Sequence, residues 1–436
     1  MSEPRSSVTG RKGPTAAVKQ SRLKRRHAAE RRFRAYAIAA VGIAAGLLAL
    51  LVVSIGARAY SGFRQAYVSL PVLIDRELID PQGTNDAAVL AEANYSSLVK
   101  QALRARFPDV TARSEQTQLY ALLSMGASDA VKAHVLASPQ DIGSTVTFRF
   151  EAADHVDALA KGRIDRALPE ADRGIGDLQV AWADDLSAKG ELTVGFSRTF
   201  LTSGDSREPE MAGILAALTG SAMTLAVTLL LSFPLGVAAA VYLEEFAPKN
   251  RWTSLIEVNI NNLAAVPSVI YGLLGLAILL NFFGLPRSSP LAGGIVLALM
   301  TLPTLIIAAR AAIAAVPPSI REAALAVGAS DVQVVLHHVV PLAMPGILTG
   351  SIIGMARALG ETAPLLMIGM VAFIVDVPKG FTEAATVLPV QIFIWADSPE
   401  RGFVARTAAA TMVLLLFLVM MNATAVVLRR RFERRW

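Results

Sequence analysis

Residues 317–345 read PPSIREAALAVGASDVQVVLHHVVPLAMP and lie between two long apolar stretches. After the opening prolines, Ser319 and Glu322 stand at the spacing of a capping box, which predicts the start of a short helix. Gly328 suits the left-handed conformation that ends such a helix, and Asp331 can begin a second one before the next proline. The segment therefore predicts a short helix–turn–helix between two membrane spans, with a plain surface connector as the alternative.

The composition of the whole chain is that of a membrane protein. Its 436 residues are 53% hydrophobic and only 17% charged, with a mean hydropathy of +0.49. Soluble domains average about 45–50% apolar and about 25% charged residues. The chain contains no cysteine, which excludes a disulfide framework, thiolate metal sites and cysteine nucleophiles.

Six stretches are long and apolar enough to cross a bilayer, which takes about 20 residues. They are Ala35–Ala57, Met211–Leu243, Leu263–Phe283, Leu291–Ala315, Gly346–Ile374 and Ala408–Leu428. An even number of spans places both ends of the chain on one side. Residues 1–34 carry eleven Lys or Arg against two acids, and residues 429–436 carry five against one. The positive-inside rule then predicts that both termini are cytoplasmic.

These spans and charges predict five segments. Segment by segment they are a basic, disordered cytoplasmic tail (1–34), a first transmembrane helix (35–57), a periplasmic domain (58–210), a membrane core (211–428) that contains the loop 317–345, and a second basic tail (429–436). The basic tails are interpreted as topology determinants rather than nucleic-acid binding regions. We find no nucleophile–base set and no cluster of metal ligands, so no catalytic or metal site is predicted.

The outer segment, residues 58–210, is predicted to be an α+β domain. Small or apolar residues alternate with more polar ones from Ala66 to Val72 and from Val146 to Phe150, a pattern typical of strands. A further strand-like run, Leu192–Phe200, leads back toward the membrane. Between the first two strands, three stretches are better suited to helices: Asn94–Arg106, Glu115–Ser124 and Asp129–Ala137.

A charged pair, Arg357 and Glu361, lies within the predicted span 346–374. Either charge alone costs about 2.5–3.5 kcal/mol at the centre of a membrane helix, so neither should face lipid. Their i, i+4 spacing permits pairing, and Gly350 and Gly354 share their face. The pair is either a structural lock between helices or part of a substrate path, in which Arg357 meets an anion and Glu361 weakens its grip.

The loop between the fourth and fifth spans resembles the coupling loop of bacterial ABC importer permeases. The residues that carry this resemblance are Glu322, Ala323, Ala324, Gly328 and Pro341. In that family the short helices dock into a groove of a separate ATPase subunit and transmit its closure to the membrane helices. The chain has no Gly-Lys pair and hence no phosphate-binding loop of its own, so an ATPase would be another polypeptide.

Three further stretches are similar to the PstA type of phosphate-specific permease. They are ARALGETAP (356–364), VPSVIYG (266–272) and LPVQIFIW (388–395). The resemblance implies a heterodimer with a PstC-type permease, two PstB-type ATPase subunits that bind ATP–Mg, and a periplasmic phosphate-binding protein. It implies no cofactor on this chain. Pro267, Gly350, Gly354 and Pro364 are interpreted as residues that shape the helices.

Together these observations predict an all-α polytopic protein of the bacterial inner membrane. It would have six transmembrane helices, five of them an ABC-importer core, and an extracytoplasmic α+β domain between the first two. The predicted function is a phosphate permease subunit without enzymatic activity. The alternatives are a permease for molybdate or sulfate, a membrane sensor whose outer domain binds a ligand, and a membrane enzyme that uses Glu361 as a base.

Overall fold

The computed structural model describes residues 16–371 and 373–432. Helix α1 spans Ala16–Gly62, and its stretch Arg26–Gly62 is long and apolar enough to cross a membrane. The prediction that the whole tail before residue 35 is disordered is wrong for residues 16–34, which are helical. Residues 1–15 of that tail lie outside the described residues. Of the residues that the structure describes, those up to 57 form one compact unit and those from 58 onward form another.

A three-stranded antiparallel sheet forms the centre of the region between α1 and the second span. Strand β1 (Arg64–Leu73) lies between β2 (Thr145–Glu151) and β3 (Leu192–Phe196). Strands β1 and β2 fall where the alternating pattern predicted them, whereas the predicted run Leu192–Phe200 is a strand only as far as Phe196, since a helix begins at Arg198. Alternate residues point to opposite faces of a strand, so the sheet has one apolar face and one polar face.

Nine short helices accompany the sheet. They are α2 (Arg76–Ile79), α3 (Ala87–Glu92), α4 (Tyr95–Arg106), α5 (Arg113–Tyr120), α6 (Ala127–Ala137), α7 (Asp154–Ala160), α8 (Glu170–Arg173), α9 (Asp177–Ala188) and α10 (Arg198–Thr202). The core lies on the apolar face, where Val68, Leu70 and Phe150 pack with Leu98 of α4 and Leu119 of α5. This burial ties the strands to their covering helices.

The remaining helices form the membrane region. They are α11 (Leu215–Val241), α12 (Arg251–Ala264), α13 (Ser268–Leu274), α14 (Pro290–Ala314), α15 (Pro318–Ala326), α16 (Asp331–Val334), α17 (Val340–Gly360), α18 (Ala363–Met367), α19 (Leu388–Ala396) and α20 (Gly402–Phe432). Three π-helical segments, Tyr242–Phe246, Gly275–Leu280 and Val335–Val339, continue α11, α13 and α16 respectively. With α1, five helical stretches among the described residues are long and apolar enough to span a membrane.

The predicted third span, Leu263–Phe283, is not one straight helix. Its N-terminal residues belong to α12, and the axis bends by 103° between α12 and the helical stretch Ser268–Leu280. Pro267 stands at this bend as the N-cap of α13. A proline disfavours helical backbone at the residue before it, which is the physical reason for the break.

The predicted fifth span, Gly346–Ile374, starts earlier and ends earlier than its apolar stretch suggests. The helical stretch runs from Asp331 to Gly360, so the helix that starts at Asp331 does not end before Pro341. The π-helical turn just before Pro341 accommodates the missing backbone N–H. Beyond Gly360, Pro364 lies in the first turn of the separate short helix α18.

Glycines allow the membrane helices to approach closely. A Cβ on Gly350 of α17 would lie 2.4 Å from the Ala308 Cβ of α14. A Cβ on Gly294 of α14 would likewise lie 2.4 Å from the Val227 Cβ of α11. Small residues at such contacts are typical of helix packing in membranes.

Candidate functional site

The predicted helix–turn–helix is present as α15 and α16. Gly328 has φ +90° between them, in the left-handed conformation predicted for it. The predicted cap of α15 is wrong, because Pro317 rather than Ser319 precedes that helix. Asp331 begins α16 as predicted, with Ser330 as its N-cap. Pro318 already supplies helical φ at the first position, which displaces the cap by two residues.

The turn between α15 and α16 presents apolar side chains to the outside. Val327 is 84% exposed, and Leu325 and Val332 on either side of it are also exposed. Glu322 and Ala323 are exposed, whereas Ala324 packs into the protein. An apolar cluster of this kind at the end of a membrane bundle is typical of a protein–protein contact.

Arg321 joins α15 to the end of the second span. Its Nη2 lies 2.6 Å from Glu245 Oε1, and Nε lies 3.2 Å from both carboxylate oxygens. Its remaining donors reach the carbonyl oxygens of Val316 and Ile313 at 2.7 and 3.1 Å. A bidentate ion pair with two further hydrogen bonds fixes the orientation of α15 on α14 and α11.

A second arginine, Arg310, forms ion pairs that include Glu244, the residue just before Glu245. Arg310 of α14 donates to Glu244 at 3.2 Å and to Glu257 of α12 at 2.9 Å. The adjacent Glu244 and Glu245 therefore bind different arginines on different helices. None of these three ion pairs was predicted, although two acids at the end of one apolar stretch and a lone arginine within another were visible signals.

Arg357 and Glu361 lie at the C-terminal end of α17, not in the middle of a span as predicted. Glu361 is the C-cap residue, with extended backbone, because the helix stops at Gly360. The Arg357 Nε atom and the Glu361 Oε1 atom are 3.5 Å apart, a long contact for an ion pair. The Arg357 side chain is 48% exposed, so its guanidinium has donors left for another group.

The residues predicted to shape the helices lie around this end of α17. Pro267 begins α13, and Pro364 lies in the first turn of α18. A Cβ on Gly272 of α13 would lie 2.7 Å from the Pro364 Cα atom, so these two helices nearly touch. Gly350 contacts α14, whereas Gly354 has no atom within 4 Å of a built Cβ.

A stripe of buried hydroxyl groups lines α11 where it meets α14, α17 and the segment before α19. Its members are Ser221, Thr224, Thr228 and Ser232. Thr228 donates to the carbonyl oxygens of Thr224 and Gly294 at 2.8 and 3.2 Å, and Ser221 accepts from the Leu388 amide at 2.8 Å. This stripe was not predicted, although its hydroxyl residues recur every three or four positions within an apolar span, which is the spacing of one helix face.

Arg406 joins α20 to the sheet-containing region. It is 3% exposed and donates to the carbonyl oxygens of Gly62, Pro209 and Glu210 at 2.7, 2.8 and 3.1 Å. Its other contacts are Gln65 Oε1 at 2.9 Å and Ser197 Oγ at 3.3 Å. All the hydrogen-bonding capacity of the guanidinium is used inside the protein, which is the condition for burying such a group.

Two family models match the chain. Residues 232–436 match the family described as binding-protein-dependent transport system inner membrane component. Residues 20–170 match a domain of unknown function, DUF3333. The second match begins within α1 and covers β1, β2 and most of the short helices.

Curated relatives are transport permeases. The chain is 30% identical over 223 residues to the phosphate transport system permease protein PstA 1 of Mycobacterium tuberculosis, covering 51% of this chain and 72% of that protein. It is 32% identical to PstA of Haemophilus influenzae, covering 49% and 74% respectively. The probable ABC transporter permease YqgH of Bacillus subtilis is 37% identical, but the match covers only 36% of this chain and about half (52%) of that protein.

Among solved structures, the fold is similar to the inward-facing MetNI methionine ABC transporter. That match has 17% sequence identity and a TM-score of 0.41, and covers 50% of this chain and 97% of the other. The curated relatives, rather than this structural likeness, confirm the relationship that residues 356–364 suggested.

Proposed function

The chain belongs to the PstA-type family of phosphate transport permeases, and we propose that it is the membrane subunit of an ATP-driven importer of inorganic phosphate. Members of this family are multi-pass inner-membrane permease subunits rather than enzymes. The observation that carries the proposal is the family relationship, together with the exposed segment α15–α16 that Arg321 braces against the membrane helices.

The proposed role of α15 and α16 is to receive motion from a separate ATPase. Glu322, Ala323 and Gly328 would form the contact, with Val327 as its apolar centre. Arg321 supports this role because its ion pair with Glu245 connects the contact to the second span. ATP and Mg²⁺ would be bound by the ATPase and not by this chain.

The proposed role of Arg357 is to meet the phosphate anion along the translocation path. The guanidinium is half-exposed and only loosely held by Glu361. An arginine with spare donors can form paired hydrogen bonds with an oxyanion, and a neighbouring carboxylate limits the strength of that binding. Such moderate affinity suits a path from which the anion must also leave.

The proposed assembly follows the family. A PstC-type permease would complete the path, two PstB-type ATPases would bind the cytoplasmic side, and a periplasmic phosphate-binding protein would deliver the anion. In this arrangement the sheet-containing region lies in the periplasm and both termini lie in the cytoplasm. The eleven Lys or Arg residues of segment 1–34 and the five of segment 429–436 support this orientation, because an excess of Lys and Arg beside a span marks the cytoplasmic side.

Uptake of labelled phosphate tests the proposal. Cells that lack their own PstA would express this chain with its partner subunits, as wild type, Arg357→Ala or the double variant Glu322→Ala/Gly328→Val. We expect energy-dependent uptake, indifferent to excess molybdate or sulfate, from wild type but from neither the Arg357→Ala nor the double variant. Arg104→Ala removes an exposed arginine from α4 and serves as the matched control.

The variants test the roles of the named residues, and the competing anions test which oxyanion is transported. Normal uptake by Arg357→Ala at equal abundance would contradict the role of that residue. Uptake that molybdate or sulfate abolishes would assign the permease to another oxyanion. Copurification of an ATPase with wild type, but not with the double variant, would support the docking role of α15–α16.

A further inference from the structure

An open cleft of about 490 Å³ lies beside the three-stranded sheet. Its polar and aromatic lining residues are Tyr67, Arg149, Phe150, Glu151, Phe196, Arg198 and Thr199, and Gly126, Ala127 and Ala130 at the start of α6 line the remainder. Cavities of about 300–1,000 Å³ are the usual size of small-molecule sites. The cleft is separate from α15–α16 and from Arg357, and nothing in the transport role accounts for it.

Strand register explains why these side chains converge. Tyr67 of β1 pairs directly with Glu151 of β2, and Arg149 lies two residues before Glu151 on the same face. Arg198 and Thr199 begin α10, immediately after β3. The cleft is therefore built on regular structure along two of its sides rather than on a flexible loop.

The guanidinium of Arg149 is held in place by its neighbours Tyr67 and Gly195. It lies 3.9 Å from the centroid of the Tyr67 ring, a stacked cation–π arrangement. Gly195 of β3 makes the space for it, because a Cβ there would lie 2.4 Å from the Arg149 Nη2 atom. Stacking and the missing side chain together hold the planar group in place while leaving its N–H edges free.

Neither arginine of the cleft is neutralised by an acidic partner. Within residues 16–371 and 373–432, Arg149 and Arg198 form no ion pair with a carboxylate, unlike Arg106, Arg166 and Arg173 in the same region. Two guanidinium groups that share one cleft favour an anionic ligand, and their planar donor pattern matches an oxyanion.

Glu151 also lines the cleft and restricts which anions can bind there. Its carboxyl group accepts a hydrogen bond from the Thr199 hydroxyl, and burial raises its pKa above the usual value. Glu151 lines the same cleft as the two arginines, and a carboxyl group there repels an oxyanion unless the carboxyl group and the oxyanion share one proton. Phosphate and its esters titrate near neutral pH and can share such a proton, whereas sulfate is fully deprotonated there.

We propose that this cleft binds a phosphoryl oxyanion, with Arg149 and Arg198 donating to its oxygen atoms and the Glu151 carboxyl group sharing one proton with it. The cleft is larger than a phosphate ion, and the exposed ring of Phe196 forms part of its wall. A phosphate monoester therefore fits as well as free phosphate, and the two share the chemistry that the cleft recognises. The inference assigns a ligand site outside the translocation path.

Equilibrium dialysis of the full-length chain in detergent micelles tests this assignment with two labelled probes, inorganic phosphate and glycerol 3-phosphate. We expect Arg149→Gln and Arg198→Gln each to weaken binding about ten-fold or more, since a charged hydrogen-bond donor is lost. Gly195→Ala keeps both charges but displaces the Arg149 guanidinium, and should weaken binding as well. Arg113→Gln removes an exposed arginine from α5 and is the matched control.

Two further comparisons complete the test. Arg357→Ala should leave this binding unchanged, which separates the cleft from the proposed transport path. Excess sulfate should not displace the probe from wild type, but should displace it from Glu151→Gln. The probe that binds more tightly identifies the natural source of the phosphoryl group.

The proposal is overturned if neither probe binds the wild-type chain, if both arginine variants bind normally, or if sulfate competes equally with wild type. Binding that is lost in Arg357→Ala and kept in the Arg149 and Arg198 variants would also overturn it, by assigning the bound anion to the membrane path. Unchanged thermal unfolding of each variant would show that the fold is intact.

Discussion

Arg321 of α15 and Glu245 at the end of the second span form a bidentate ion pair, with 2.6 Å between Nη2 and Oε1. The two residues are 76 positions apart in the chain. The pair connects the segment that projects from the membrane helices to a helix that packs along both α14 and α17. A displacement of α15 would therefore reach the core through a charged contact as well as through the covalent chain.

We expect Arg321→Gln to reduce the maximal rate of phosphate uptake about ten-fold while leaving the KM for phosphate unchanged. The reason is that the variant loosens α15 without touching the proposed substrate path. Glu245→Gln should have the same effect, and the double variant should be no worse than either single one, because the residues act as a pair. Kinetics of labelled phosphate uptake provide the measurement.

Lys249→Gln removes an exposed charge near the same end of α11 and should leave uptake normal. A wild-type maximal rate in Arg321→Gln, at equal abundance of the assembled transporter, would contradict this coupling role.

Arg406→Met should lower the free energy of unfolding by about 3–5 kcal/mol, because it leaves buried acceptors without a donor. Those acceptors include the carbonyl oxygens of Gly62, Pro209 and Glu210. Chemical unfolding of the purified protein, followed by the fluorescence of its tryptophans, would measure the loss. Arg401→Met, in the exposed turn before α20, should change stability by less than about 0.5 kcal/mol.

Gly350→Ala should destabilise the protein by about 1–3 kcal/mol, since the added methyl group would lie 2.4 Å from the Ala308 Cβ and would push α17 from α14. Gly354→Ala, one helical turn further along α17, is the matched control. It has open space around its Cβ and should be neutral or stabilising by up to about 1 kcal/mol. Equal thermal unfolding temperatures for the two variants would refute the close approach of these helices.

Stability should fall as pH rises through the weakly acidic range. Burial raises the pKa of Glu210 from 4.5 to about 7, so between these values the folded chain binds a proton that the unfolded chain has lost. The contribution is fully present below about pH 4.5 and is lost by about pH 7, amounting to roughly 3 kcal/mol. Burial also raises the pKa of Asp154 and Asp205, which act in the same direction.

Unfolding measured from pH 4.5 to pH 7.5 checks this sign. Glu210→Gln should flatten part of the slope and should be more stable than wild type at the upper end. Glu77→Gln, at an exposed position of α2, should reproduce the wild-type slope. A wild-type stability that rises across this interval would contradict the assignment.

Features set by local sequence were the ones that could be predicted. Alternation from Ala66 to Val72 places β1 correctly because one face of that strand is buried. Gly328 adopts the left-handed conformation because few other residues can do so without strain. The family relationship could be recognised from the short stretch 356–364, and the 30% identity to PstA 1 of Mycobacterium tuberculosis confirms it.

Features that depend on contacts between distant residues could not be predicted. Arg310 contacts Glu244 and Glu257 only after three helices have packed, and the apolar pattern of each helix does not indicate which helices will be neighbours. Pro267 was expected to shape its helix, but the 103° angle between α12 and the helical stretch Ser268–Leu280 was not predicted. Hydropathy carries no information on the direction of a helix, so two apolar helices at a steep angle resemble one span. The exit of Glu361 from α17 was missed for the same reason.

The contacts of Arg406 have a consequence for how such a chain can be shortened. An engineer who excises residues 64–196 would remove the Gln65 partner and disturb Ser197, leaving part of a buried guanidinium without acceptors at the start of α20. The insertion between the first two spans is thus not a detachable accessory, although a family model separates it from the permease core. Trimming it would leave part of the Arg406 guanidinium unpaired, and replacing Arg406 with an apolar residue would in turn leave the carbonyl oxygens of Gly62, Pro209 and Glu210 without a donor.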